Sequence, residues 1–353
     1  MSTLYLNDPL GLKETTLSNM LISNPAELLK CSADFLCKYF VHCDTTSLYF
    51  AQNLSTHLAQ ILSIIKIQRS NISRFYISDH EINWIKKMLE IPQYQPDATH
   101  SNYHDNDPID CPTFDVKVFP FNESEWIAEE YDDPTIFFIS HVSRLTGELN
   151  DIAALFKLIK SKNPQSIFIV DGSQSIGATR PIELKDSCDV YLGISSKFIG
   201  AEPHLGLAFI SDQFFQEYVQ DRDNYPIFNV EKYQKDIYSL AVNLRNPIYL
   251  SDYSVYIENL KKYAVEKVNM LDRNILYVPT NQAPQFLTLN FGSADHNKKF
   301  IEFAKNQKII VSDNTGWSIV KPDIPLVRIG LSVRITEKDI DRLVEIIDKY
   351  IKI

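Results

Sequence analysis

The chain has 353 residues, 44% of them hydrophobic, with 35 Lys plus Arg against 45 Asp plus Glu and a formal net charge of −10. A chain of that size buries about three quarters of its surface, and that composition is too apolar for general disorder. The acidic excess is the opposite of the cation clustering that a phosphate backbone demands, so nucleic acid is excluded as the main partner. No apolar run approaches the ~18 residues of a membrane span, so no membrane partner is expected. The opening MSTLYLNDPLGL has neither a basic leader nor a long apolar stretch, so secretion is not expected. Cys31, Cys37, Cys43, Cys111 and Cys188 form no CxxC and no zinc spacing. They read as reduced thiols, which points to a cytoplasmic setting.

From residue 46 to 215, short apolar runs alternate with helical patterns. Strands are predicted over 47–51, 73–78, 114–121, 135–140, 166–170, 189–194 and 205–211. Between them, Leu58, Ile61, Leu62 and Ile65, then Ile82, Ile85 and Leu89, then Ile152, Leu155, Leu158 and Ile159 recur at helical spacing. Strands separated by helices imply an α/β fold with a mostly parallel sheet covered on both faces. The Pro-, Asp- and Asn-rich run 91–113 reads as a long surface loop. After residue 250 the texture shifts to a long helix, a strand over 286–291, a helix over 298–306, strands over 308–312 and 326–332, and a final helix over 337–351. That pattern divides the chain into a large domain (31–250), a smaller C-terminal α+β domain (251–353) and an N-terminal segment (1–30) docking on the smaller one.

Ligands of such a sheet bind at the carboxyl ends of its strands. There the segment SIFIVDGSQSIGA ends a buried strand abruptly in Asp171, and DVYLGISSKFIGAEPHLG ends another near Lys197. A carboxylate at the end of an apolar strand is expensive without a cationic partner. A lysine in a serine-rich turn after a second strand suits an imine, and the two together suit pyridoxal 5′-phosphate (PLP), whose ring nitrogen an aspartate keeps protonated. On the residues alone the alternative stays open: Asp171 caps the next helix and Lys197 is a solvated loop lysine.

At these residues the sequence resembles the class V aminotransferase family of fold-type I PLP enzymes, which includes cysteine desulfurases and kynureninases. The resemblance runs from about residue 46 to the C-terminus. It is carried by SHVSRLTGELNDI (140–152), IVDGSQSIGA (169–178), DVYLGISSKFIGAEPHLGLAFI (189–210) and LVRIGLSVRITEKDIDRL (326–343). It implies the aspartate aminotransferase-like fold, a homodimer and an amino-acid or keto-acid substrate. Lys197 would hold the cofactor and shuttle the Cα proton, Asp171 would pair with the ring nitrogen and Gln174 would bond the ring's 3′ oxygen. Ser173 would pack under one face of the ring and His80 would stack on the other. Arg328 would clamp the substrate's α-carboxylate, a task suited to a planar bidentate donor.

For the phosphate, the resemblance points to Ser55, with Thr56 beside it, at a helix start lacking the usual glycine. It adds Ser195 or Ser196 before the lysine, and Asn246 reaching across a dimer. Arg144 stands where the family often has asparagine; a second contact to a substrate anion and a solvent-facing side chain both remain open. Glu202 and His204 stand where the family prefers small residues, marking either an unusual substrate pocket or a different turn. The loop 312–325 has no cysteine, which disfavours desulfuration through a persulfide.

His100, His104, Asp105 and Asp107 have the spacing of metal ligands but sit in a proline-flanked loop and read as solvated polarity, so no metal is expected. The function expected is an aminotransferase. A PLP-dependent β-elimination or C–C lyase, or an epimerase, is the alternative; a catalytically silent binding protein of the same fold is the remote one.

Overall fold

The computed structural model describes residues 24–91, 112–121, 133–202, 205–219, 228–271, 274–279, 281–309, 311–313, 319 and 326–353. Seven strands form the central sheet: β1 (Leu48–Ala51), β2 (Arg74–Ser78), β3 (Asp115–Phe119), β4 (Ile136–Ser140), β5 (Ile167–Asp171), β6 (Val190–Ile194) and β7 (Gly206–Ile210). Their order is β1-β7-β6-β5-β4-β2-β3, and only β7 runs antiparallel to its neighbours. Each overlaps a run predicted from the sequence, and only β5 extends beyond its run, by Asp171.

Alternation along the strands splits the core into two layers. Ile136 and Phe138 of β4 face α2 (Leu54–Gln68), where Leu58, Ile61, Leu62 and Ile65 are fully buried. Phe137 and Ile139 face the opposite layer with Val170 and Tyr191. A side chain taken fully out of water contributes about 1.5–3 kcal/mol, so burial on both faces dominates the sheet's stability. The expected helices appear as α3 (Asn83–Glu90) and α4 (Ile152–Lys162), the latter started by Asp151, whose Oδ1 accepts from the Ala154 amide at 3.0 Å.

Among the described residues, two long helices fall outside the pattern reading. One is α1 (Pro25–Tyr39), capped by Asn24 with proline in its first turn. The other is α5 (Gln234–Leu244), which buries Ile237, Leu240, Ala241 and Leu244. Phe35 and Phe40, at the end of α1, pack edge-on against Tyr249 at 6.4 and 5.0 Å between ring centroids. The expected docking of residues 1–30 lies outside the described residues except for the start of α1.

The C-terminal part begins with α6 (Tyr253–Asn269) and continues through β8 (Phe286–Leu289), α7 (Ala294–Asn306), β9 (Ser312–Asp313), β10 (Val327–Gly330) and α8 (Glu337–Ile351). The three strands form an antiparallel sheet in the order β8-β10-β9. Here one expectation is corrected: no strand runs over 308–312. Lys308 adopts a left-handed conformation with φ 62, and the Ile309 amide closes on Ala304 at 2.9 Å. That geometry terminates α7, so the strand starts only at Ser312. Among the described residues no helix is long and apolar enough to cross a membrane.

Candidate functional site

The parallel strands deliver their last residues to one edge. Ser140 ends β4 in register with Asp171, which ends β5 and is itself in register with Leu192 of β6. Asp171 is buried, and its Oδ1 accepts from the Ser173 amide at 2.7 Å. The chain then folds into a tight turn closed by Ser175 and Ile176 amides on the Gly172 carbonyl at 2.8 and 2.9 Å. Only glycine fits at 172, because a Cβ there would lie 2.2 Å from the Tyr191 ring.

Tyr191 anchors this turn from below. Ser175 donates to the Gly172 carbonyl at 3.0 Å, so its oxygen accepts from Tyr191 at 2.8 Å. The Tyr191 oxygen in turn receives the Nδ1 proton of His141 at 2.8 Å, a chain of donors running one way. Gln174 is buried, and its carbonyl accepts from Gln285 Nε2 at 2.6 Å. Ser173 Oγ is buried with no hydrogen-bond partner, an orphaned group facing no described donor or acceptor.

Lys197 lies in the turn after β6. Ser195 closes that turn: its amide donates to Leu205 at 2.9 Å and its Oγ accepts from the Leu205 amide at 2.8 Å. The Lys197 side chain is exposed to solvent. Even so, burial is the largest influence on its ammonium and brings its pKa down to about 7, with Arg144 and Arg328 pushing the same way and Asp171 and Glu81 opposing them. Both hold where water reaches the amine while surrounding protein excludes the bulk dielectric.

The same influences place four other charged groups within electrostatic reach of Lys197. Arg328, on β10, stacks its guanidinium 4.6 Å above the Phe286 ring and donates to the Arg144 carbonyl. Burial and the neighbouring Arg144 lower its pKa to about 9. Arg144 is half-buried, its pKa lowered by burial and supported by Asp171 and Glu81. Glu81 is fully buried: Oε1 accepts from the Ser140 amide at 2.5 Å and Oε2 from Ser140 Oγ at 2.7 Å. Burial and then Asp171 raise its pKa to about 8. Glu81 is the one member that sequence reasoning missed; the available signal was a glutamate directly after His80, just past the end of an apolar strand.

His80 joins the site through Ser143. Ser143 Oγ accepts from the Leu145 and Thr146 amides, both at 3.1 Å, so its proton goes to His80 Nδ1 at 2.9 Å. The imidazole is therefore neutral with its proton on Nε2, in line with burial lowering its pKa. Phe121 stacks on one ring face at 4.6 Å between centroids and 11° between planes, fixing the plane of the imidazole.

The proposed phosphate ligands other than Asn246 lie on the segments that follow the two strands flanking β7. Its first residue, Gly206, pairs with Ala51 on one side and Ile194 on the other, so the turns leading to Ser55 and Lys197 meet at one edge. A Cβ at Gly206 would lie 2.5 Å from the Asn53 backbone, so the two segments touch. Ser55 is buried and Ser196 half-buried there. Thr56 departs from the expectation: its hydroxyl and amide both donate to Asn53 Oδ1, at 3.0 and 2.8 Å. Its proton is spent on capping α2, so it offers an anion no donor. The Ser195 oxygen is likewise used, as an acceptor, but its proton stays available. Asn246 Oδ1 accepts from the Ile248 amide at 3.1 Å and caps a short turn within its own chain. The Glu202 carbonyl accepts from Ser239 at 2.9 Å, while His204 and His100, His104, Asp105 and Asp107 lie outside the described residues.

Two buried imidazoles tie stability to pH. Burial lowers His57 and His141 from 6.5 to about 4, so between those values the unfolded chain binds the more protons. Their contribution is complete above 6.5 and is lost on acidification toward 4, by up to about 3 kcal/mol each. Glu81 runs the other way between its ordinary 4.5 and about 8. One carboxyl offsets one imidazole, so the melting temperature by scanning fluorimetry is expected to fall as pH drops from 6.5 to 4.5. A flat or rising profile contradicts the burial of these rings.

Comparisons with known proteins bear on the family and on the fold. Residues 113–219 match the family model described as Aminotransferase class-V. A stretch of 86 residues is 31% identical to alanine–glyoxylate aminotransferase 1 of Saccharomyces cerevisiae, and the match spans 24% of this chain and 22% of that enzyme. The fold is similar to a NifS-like protein, with a TM-score of 0.71 at 15% identity over 98% of both chains. It is also similar to the apo structure of a cysteine desulfurase from Thermococcus onnurineus NA1, with a TM-score of 0.67 at 14% identity over 99% of this chain and 94% of that one. An aspartate aminotransferase from Thermus thermophilus gives 0.65 at 14% identity over 93% and 90%. The architecture is that of fold-type I PLP enzymes.

Proposed function

From the premise that residues 113–219 carry the class V aminotransferase pattern within a fold-type I architecture, we propose that this protein is a PLP-dependent aminotransferase acting on an amino acid. The observation that carries the reading is Lys197: an amine lowered to about 7 by burial, with Asp171, Arg144, Arg328 and Glu81 within electrostatic reach. Those residues fit the cofactor. An orphaned Ser173 hydroxyl, a flat neutral His80 and a carboxylate at a strand end are the surroundings that a protonated aromatic ring requires.

Bound PLP supplies an electron sink for the charge left when a bond to the substrate's Cα breaks. The chain's residues supply the rest. Lys197, neutral in part near pH 7, is the nucleophile that holds the cofactor and the base that moves the Cα proton. Asp171 keeps a proton on the ring nitrogen, and Gln174 and His80 fix the ring's plane and orientation. Arg328 binds the α-carboxylate, and Ser55, Ser195 and Ser196 offer donors to the phosphate. A homodimer, completing the phosphate site with Asn246 of a second copy, and a cytoplasmic location belong to the same proposal.

The test is product identification. The purified protein is loaded with PLP and incubated with a panel of amino acids, with and without keto acids. A keto acid formed together with pyridoxamine phosphate supports transamination. Ammonia and pyruvate, a cleaved side chain, or racemised substrate without pyridoxamine phosphate overturn it in favour of elimination, C–C cleavage or epimerisation. Protein that never binds PLP overturns the enzyme reading and leaves a silent binding protein.

A further inference from the structure

A second cavity, of about 930 Å³, shares no lining residue with the cluster of Lys197, Asp171, Arg144, Arg328 and Glu81. The start of α4 and the short helix Leu184–Ser187 line one side of it; α6 and the segment 281–284 line the other. Its size suits a small molecule, whose sites run to ~300–1,000 Å³. Arg180 Nη2 pairs with Glu258 Oε1 of α6 at 3.2 Å and ties the two sides together. Within the second side, Lys261 Nζ donates to the Ala283 carbonyl at 2.8 Å. These contacts preform the site.

His141 is only 5% exposed and lines this cavity. Its Nδ1 donates to Tyr191 at 2.8 Å, so Nε2 carries a lone pair with no partner among the described residues. Burial keeps the ring neutral, lowering its pKa to about 4. Such a buried acceptor is satisfied by an incoming N–H or O–H. The charged lining groups are divided between the two sides. Glu258 is taken by Arg180, and Glu183 by His42 at 2.6 Å. That leaves Asp151 and Asp186 on the first side and Lys261 and Lys262 on the second. Ile152, Ile182, Val265 and Pro284 supply an apolar lining. Burial lowers Lys261 to about 8, so its ammonium persists at neutral pH at a cost that an anion would relieve.

We propose that this cavity binds a zwitterionic α-amino acid with an apolar side chain, at a site separate from Lys197. The ligand's ammonium donates to His141 Nε2, and Asp151, within electrostatic reach of that ring, balances its charge. Its carboxylate accepts from Lys261, and its side chain packs on the apolar lining. A carboxylate lacking the ammonium leaves His141 without a donor and brings an anion toward Asp151 and Asp186. An amine lacking the carboxylate leaves Lys261 uncompensated. Only a molecule carrying both charges, close together and with an apolar body, satisfies the two sides at once.

The experiment titrates the full-length protein with para-fluorophenylalanine, followed by fluorine NMR, and repeats the titration with para-fluorophenylacetate and para-fluorophenethylamine. The amino acid is expected to bind with a Kd below about 1 mM. Each single-charge analogue is expected to bind at least about 10-fold more weakly, the range for losing a hydrogen bond to a charged group. Lys261→Gln is expected to weaken the amino acid by a similar factor, whereas Arg328→Ala leaves this binding unchanged. Should Lys261→Gln not fold, Ala153→Trp decides: it keeps every charge, fills the space and is expected to abolish binding. No binding by the wild type, or an analogue that binds as well as the amino acid, overturns the proposal. So does binding that survives Lys261→Gln and Ala153→Trp but is lost in Arg328→Ala, which moves the ligand to the Lys197 site. Because the cavity and that site are probed by different variants, failure here is distinct from failure of the proposed enzyme.

Discussion

Lys197→Ala is expected to abolish turnover of amino acids, lowering the rate by at least about 10²–10⁴-fold, the range for loss of a positioned acid–base group alone. The loss of covalent attachment comes on top of that. The turn itself survives, because it is closed by Ser195 and Leu205 rather than by the lysine. Circular dichroism and melting temperature should therefore match the wild type while visible absorbance on PLP addition disappears. The variant also removes the amine held at about 7, so added small amines restore part of the activity with a rate that follows their free-base fraction. Full activity in Lys197→Ala contradicts the role given to this residue.

Arg328→Ala produces the second large effect, and it falls on a different constant. Its guanidinium lies over Phe286, bonded to the Arg144 carbonyl, in a place where burial and Arg144 lower its pKa to about 9. A cation kept in so costly a position is stabilised by an incoming anion. Leaving the substrate carboxylate buried and unpaired costs about 2–5 kcal/mol, a loss of about 30- to 4,000-fold in affinity. The expected result is a large rise in KM, or in the Kd of a carboxylate inhibitor, with PLP still bound. Arg328→Lys should recover little, because an ammonium lacks the planar two-pronged contact. An unchanged KM for carboxylate substrates contradicts the assignment and moves the anion site to Arg144.

The sheet was readable in the sequence because a strand buried on both faces appears as an unbroken apolar run. IFFIS and IFIVD are such runs, and their last residues fall at the site edge. Asp171 stood out for the same reason, as a charge ending a run that otherwise excludes charge. The reversed direction of β7 was not readable, since GLAFI carries no mark of orientation. Thr56 shows the limit for hydroxyls: only the structure reveals that Asn53 takes its proton. Glu81 escaped because its meaning depends on Ser140, Asp171 and Arg144, which approach it only through strand pairing and the loop after β4. Residues whose role comes from their own strand were legible; those whose role comes from neighbours distant in sequence were not.

The most direct test of the account is to trap the attachment. Protein incubated with PLP is reduced with borohydride, digested, and its peptides weighed by mass spectrometry. The phosphopyridoxyl group is predicted on the peptide containing Lys197 and on no other lysine at stoichiometric yield. A label distributed over several lysines, or none at saturating PLP, contradicts the account.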